Sequence, residues 1–117
     1  MGRSRPEINS GRHGFIPWRK FCMFYIYILL LKNNNLYTGF TTNLKNRYKQ
    51  HIQGSVESTK YRRPLRLVHY ECYMLETDAR RREKFLKTSE GKLFLRRQLS
   101  VLFKKIGRYD EYKNHII

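Results

Sequence analysis

Acidic residues are scarce in this 117-residue chain: nine Asp and Glu stand against 25 Lys and Arg, a formal charge of +16. That shortfall excludes an ordinary balanced surface. It points to a polyanionic partner, because basic side chains displace counterions from phosphate. Charge alone leaves DNA, RNA and an anionic membrane surface open. Cysteine is scarce too. Cys22 and Cys72 are the only two, and no Cys or Cys/His cluster has zinc-finger spacing. No disulfide framework is expected, and a reducing, cytoplasmic setting is the default. The apolar run at residues 21–31 spans eleven residues, too short for a helix that must cross about 30 Å of hydrocarbon. Arg19 and Lys20 ahead of it resemble the start of a signal peptide, but Lys32 to Asn35 offer no small-residue cleavage site. No membrane partner is therefore expected. There is no internal repeat, and the length leaves room for one domain.

What the chain has in quantity is aromatic residues, nine Tyr and seven Phe. A disordered basic chain would be poor in them, so most of the sequence is expected to fold. Residues 1–20, with Pro6 and Pro17, read as a flexible basic arm. Met23 lies immediately before the first strand and reads as an alternative start, which would make the arm an upstream extension. The run from about Phe24 to Leu31 is rich in Tyr and Ile and predicts a strand. Asn33, Asn34 and Asn35 tolerate the positive φ of a turn, and Leu36 to Thr41 completes a hairpin. Thr42 or Asn43 is placed to cap a helix to about Gln53, with Leu44, Tyr48 and Ile52 as its apolar stripe and Gly54 as its stop. Residues 55–64 read as a polar, basic loop. Leu65 to Tyr73 predicts a third strand. Neither of its faces is cleanly polar, which places it at the centre of the sheet. Thr77 then caps a helix through Lys87, and Ser89 caps another to about Lys105. The order β-β-α-β-α-α describes an α+β domain at 23–105, a three-stranded sheet flanked by helices. The tail at 106–117 carries no clear signal.

Several residues could carry phosphodiester chemistry, which needs a base for the nucleophile and positive charge for the phosphate. The hairpin sets Tyr27 and Tyr37 on neighbouring strands, although Tyr is also an ordinary strand residue. Arg47 and His51, four apart, share a helix face at the border of core and solvent. Arg47 could grip a phosphate with its planar fork, and His51 could bond a tyrosine or a water. A plain solvated face is the equal alternative. Glu83 shares its stripe with Ala79 and Leu86, away from the basic side at Arg80, Lys84 and Lys87. An inward carboxylate needs a partner. A divalent cation would serve, and so would a salt bridge to Arg80 or Arg82.

These residues stand in an order that resembles the GIY-YIG nuclease family, in its small stand-alone bacterial form. Tyr25-Ile26-Tyr27 matches the first motif and Tyr37-Thr38-Gly39 the second. Arg47 follows ten residues after Tyr37, and His51 stands where the family often has His or Tyr. Glu83 takes the later glutamate position. Thr59-Lys60-Tyr61-Arg62-Arg63-Pro64 resembles the basic loop of the stand-alone members. Tyr25 replaces the family's first glycine, and Thr38 the isoleucine of the second motif. Phe40 stands where the excision-repair nuclease subunit carries lysine. The resemblance implies a metal-dependent endonuclease that hydrolyses DNA, structure- or weakly sequence-selective, in repair or recombination. It implies Mg²⁺ or Mn²⁺ at Glu83, phosphate binding by Arg47, and water activation by Tyr27 with Tyr37 or His51. No small-molecule cofactor is implied, and a monomer suffices. Arg62, Arg63, Arg80, Lys84, Arg96 and Arg97 are the expected contacts to the DNA backbone. A catalytically inactive binding module and an RNA-associated structural protein are the alternatives.

Overall fold

The computed structural model describes residues 22–107. The expected basic arm at 1–20, and the tail from 108 onward, lie outside them. Strand β1 (Phe24–Leu30) and strand β2 (Leu36–Thr41) form an antiparallel hairpin. Asn34 takes φ 69° in the connecting turn, and Asn33 Oδ1 accepts the Asn35 amide at 3.0 Å. Asn is among the few residues that hold both features cheaply.

Helix α1 (Leu44–Gln53) follows. Asn43 caps it, its Oδ1 accepting the Asn46 amide at 3.1 Å. Gly54, at φ 81°, closes it in the left-handed conformation that glycine adopts without strain. The loop read as merely polar contains a short 3₁₀ turn, Lys60–Arg62, and buries Val56 and Thr59. Strand β3 (Arg66–Tyr73) pairs antiparallel with β1.

The sheet order is β2-β1-β3, so β1 is central and β3 is an edge strand. This corrects the expectation from the mixed faces of β3. The fully buried strand is β1, from Ile26 to Leu30. On β3, Glu71 is covered by Arg82 of the following helix, whereas Arg66 and Tyr70 are exposed. The β1–β3 register slips between Ile28 and Leu29, leaving Val68 as an extra residue on β3.

Helix α2 (Glu76–Leu86) begins one residue before Thr77, the expected cap, and Leu75 at its start supplies no side-chain bond. Glu76 and Asp78 in the first turn suit the helix dipole instead. Helix α3 (Ser89–Gln98) is capped by Thr88, not Ser89. The Thr88 hydroxyl donates to the Phe85 carbonyl at 2.7 Å and accepts the Gly91 amide at 2.9 Å. Ser89 has no such pair of uses among the described residues. The expected single last helix breaks at Leu99 and resumes as α4 at residues 100–107.

Alternation along β1 divides the interior into two layers. Ile26, Ile28 and Leu30 pack with Leu36, Ala79, Leu86 and Leu95 under α2 and α3. Tyr27 and Leu29 face the other way, with Leu31 and Leu65, against Leu44 and Tyr48 of α1. Cys22 and Cys72, where no disulfide framework is expected, form one disulfide with Cα atoms 5.3 Å apart. The pairing of β1 with β3 brings the chain before Phe24 back beside Cys72. Among the described residues, no helix is long and apolar enough to cross a membrane.

Candidate active site

The second layer is built around a buried phenol. Tyr27 is 1% exposed and His51 is fully buried. This corrects the apolar stripe of α1: Ile52 is exposed, and His51 takes the inward position next to Leu44 and Tyr48. The reason is hydrogen bonding. Tyr27 Oη lies 2.8 Å from His51 Nε2, and His51 Nδ1 lies 2.7 Å from Thr59 Oγ1. With both ring nitrogens satisfied, the imidazole can be buried where an unpaired polar group could not.

Arg47, one turn before His51, donates from Nε to Tyr27 Oη at 3.4 Å. Its Nη1 is held by Gln50 Oε1 at 3.0 Å. Tyr37 on β2 faces the same cluster: its ring centroid is 5.4 Å from that of His51 and 6.5 Å from that of Tyr27. Ser58 donates to the Tyr37 hydroxyl at 3.1 Å.

Gly39 explains why the Tyr27 ring fits. It is the register partner of Tyr27 on β2, and a Cβ there would overlap the phenol ring and its hydroxyl. The glycine two residues after Tyr37 therefore makes room for the other tyrosine, which is a direct structural reading of that motif.

The electrostatics follow from this packing. Burial pushes the Tyr27 hydroxyl above its usual pKa; Arg47 pulls it down, and the Tyr37 and Glu83 charges push it up. Burial, and then the Arg47 charge, lower His51 to about 4, so the imidazole is neutral at pH 7. A neutral imidazole has one acceptor nitrogen. The Thr59 hydroxyl at Nδ1 can accept that nitrogen's proton, which leaves Nε2 to accept from Tyr27.

Glu83 makes no hydrogen bond to this cluster among the described residues, and its charge is the weakest of the influences on the Tyr27 hydroxyl. Its side chain is 13% exposed, with Oε1 3.2 Å from Arg80 and Oε2 3.1 Å from Lys87. Arg80 also lies over the Phe40 ring at 3.6 Å, so the carboxylate is tied to β2. Phe40, at the lysine position of the excision-repair subunit, thus serves as a shelf for a different cation. Thr38 is buried in the other layer, donating to the Leu86 carbonyl at 3.4 Å.

Among the described residues, no three His, Cys, Asp or Glu side chains gather as a metal cage. A single carboxylate fits a hard cation that keeps most of its own water and takes phosphate oxygens. Arg80 and Lys87 are about half exposed, so either can turn to solvent and free a carboxylate oxygen.

The expected backbone contacts divide in two. Arg63 donates to the Lys60 and Ile52 carbonyls and lies over Gly54. Arg80 is engaged as described. Arg96 donates to the Asn34 carbonyl and lies over Phe103. Arg62, Lys84 and Arg97 are exposed, without a side-chain ion pair among the described residues. Sequence reasoning missed Thr59, Ser58 and Gly39 as parts of the cluster. Gly39 lies within the second motif, and its register opposite Tyr27 is the available signal. Thr59 opens the stretch that resembles the basic loop, which carries no hint of a bond to His51, and the polar loop around Ser58 offers no signal.

Comparison with known proteins bears on the family of the chain. Residues 23–97 match the model of the GIY-YIG catalytic domain. UPF0213 protein CPE1444 of Clostridium perfringens is 35% identical over 95 residues, 80% of this chain and 98% of that protein. UPF0213 protein SH2523 of Staphylococcus haemolyticus is 45% identical over 65 residues, 55% of this chain and 79% of that one. The solution NMR structure of the UPF0213 protein BH0048 from Bacillus halodurans is 35% identical. The match covers 62% of this chain and 80% of that one, with a TM-score of 0.42.

Proposed function

Because the chain belongs to the GIY-YIG catalytic domain family, we propose that it is an endonuclease that hydrolyses DNA phosphodiester bonds with the Tyr27 cluster as its centre. The supporting observation is the hydrogen-bonded row Arg47–Tyr27–His51–Thr59. A buried phenol between a guanidinium and a neutral imidazole has little purpose in packing alone.

In this reading Arg47 binds the scissile phosphate through the guanidinium edge not used by Tyr27 and Gln50. Tyr27 takes a proton from the attacking water as its own proton passes to His51 Nε2. The phenol need not exist as a phenolate beforehand, which matters because burial raises its pKa. The charge growing on the phosphate offsets the imidazolium formed beside Arg47. Of the two expected helpers, His51 is favoured over Tyr37, whose hydroxyl is taken by Ser58. Tyr37 closes the side of the cluster. Glu83 would hold Mg²⁺ or Mn²⁺, which when bound supplies charge neutralisation at the phosphate.

Arg62, Lys84 and Arg97 grip the duplex backbone directly, and Arg63, Arg80 and Arg96 shape the surface that presents them. The catalytic unit spans residues 23–105 and acts as a monomer. With no added recognition module in that span, selectivity rests on DNA structure or a short sequence, as repair or recombination would need.

The test is a cleavage assay on nicked, branched and plain duplex DNA with and without Mg²⁺. Wild type is expected to cut only with the metal. Arg47→Ala and Glu83→Ala are each expected to lose about a hundredfold or more in rate. Cutting by both variants at the wild-type rate would sink the assignment.

A further inference from the structure

Beside the Tyr27 cluster lies a groove that the mechanism leaves unused. It has a volume of about 430 Å³, and its walls include Tyr25, Tyr48, Tyr70, Leu44 and Leu67, with Lys45 at its edge. Tyr25 is two residues before Tyr27 on β1, so it shares the same sheet face, about 7 Å along the strand. Tyr70 is the register partner of Tyr27 on β3. The Tyr25 and Tyr70 rings meet edge to face with centroids 6.2 Å apart. Tyr70 is 54% exposed, although burying it would have been favourable for a residue with only a packing role. Lys45 is exposed and has no ion pair among the described residues.

Open aromatic faces beside a free cation, on a chain of charge +16, match the chemistry of an unstacked base and its phosphate. The groove also occupies the place where this chain departs from its family's first motif. Glycine would leave that wall open, and Tyr25 closes it with a ring.

We propose that this groove is a nucleobase pocket that takes one unstacked base of the strand whose phosphate lies at Arg47. It rests on the nuclease reading and deepens it: the preferred substrate is single-stranded DNA or the frayed base at a branch, not continuous duplex. Tyr70 stacks on the base, Tyr25 supports Tyr70 from the side, and Lys45 meets the flanking phosphate.

The experiment is a binding titration in EDTA, so that it reads the pocket whether or not the strand is cut. The probe is a short oligonucleotide carrying 2-aminopurine, offered as a single strand and as a duplex. Stacking on Tyr70 is expected to quench the single-strand probe on binding and to leave the duplex probe bright. Tyr70→Ala should remove the quench and weaken single-strand binding about tenfold, the scale of one base–aromatic stack. Its duplex affinity should stay within about twofold of wild type, since phosphate contacts carry it. Tyr70→Trp should restore both the quench and the affinity, which a merely structural role for residue 70 would not require. Lys45→Gln should lower the salt dependence of single-strand binding by about one phosphate. An unchanged quench in Tyr70→Ala, or equal weakening on both probes, would overturn the pocket. Loss of Mg²⁺-dependent cutting in the wild type, with the quench intact, would instead overturn the nuclease reading and spare the pocket.

Discussion

The two faces of the central strand are both buried, but they are held by different chemistry. Under α2 and α3, Ile26, Ile28, Leu30, Leu86 and Leu95 form an apolar layer, into which Thr38 is buried with its hydroxyl bonded to the Leu86 carbonyl. Its polar boundary is ionic. Arg82 donates to both oxygens of Glu71 at 2.9 and 3.1 Å, and Tyr73 and His69 add bonds at 2.6 and 3.0 Å. Burial pushes the Glu71 carboxyl up, but bonds from Arg82, Tyr73 and His69 outweigh it and bring it down to about 2. Under α1, the polar groups are inside the layer and neutral. Tyr27, His51 and Thr59 satisfy one another, and burial keeps His51 near 4. One face spends its polar groups on joining β3 to α2. The other holds groups that can exchange protons.

The largest expected effect that separates the faces is on stability against pH. The unfolded His51 protonates near 6.5 and the folded one near 4. The unfolded state therefore binds more protons between those values, and stability falls as pH drops from 6.5 to 4, by about 3 kcal/mol. Glu71 has its carboxylate favoured by folding, so its contribution is present above 4.5 and is lost as pH falls through 2. Urea midpoints across pH should show two descending segments. His51→Gln should flatten the upper one and Glu71→Gln the lower. A single slope that both variants change alike would mean that the faces are not electrostatically distinct.

Glycines give a smaller contrast. A Cβ at Gly91 would meet the backbone of Phe85 and Leu86, and one at Gly39 would meet the Tyr27 ring. Each Gly→Ala change should cost about 2 kcal/mol through overpacking. Activity per folded molecule should separate them. Gly91→Ala should retain it, whereas Gly39→Ala should lose most of it by displacing the phenol. Equal specific activities would break the assignment of chemistry to the α1 face.

The smallest effect is at Thr59. Replacing its hydroxyl in Thr59→Val should cost about 1 kcal/mol by leaving His51 Nδ1 unpaired. It should also shift the His51 proton between ring nitrogens, visible in the imidazole ¹⁵N spectrum. An unchanged spectrum would show that Thr59 does not set the tautomer.

How far this contrast can be read in the sequence differs between the faces as well. The hairpin, the Asn43 cap and the Gly54 stop are local, since each residue meets partners within a few positions, and they are legible. Tyr27, Tyr37, Arg47 and His51 were legible as candidates because motif order and helical spacing place them together. The burial of His51 was not, because hydrophobic periodicity counts an imidazole as polar unless its partners are known. Its partners, Tyr27 and Thr59, lie 24 and 8 residues away. The edge position of β3 was hidden because mixed apolar and polar faces report what covers a strand, not whether both of its edges are paired, and only β1 pairs with it.

The most direct measurement removes one oxygen atom. Tyr27→Phe keeps the ring that Gly39 accommodates and deletes only the hydroxyl shared by Arg47 and His51. Metal-dependent DNA cleavage should fall about a thousandfold, the scale of a lost general base, while the variant stays folded and binds DNA as wild type does. A phenylalanine variant that still cuts at the wild-type rate would show that the buried phenol is there for packing, and the α1 face would lose its claim to the chemistry.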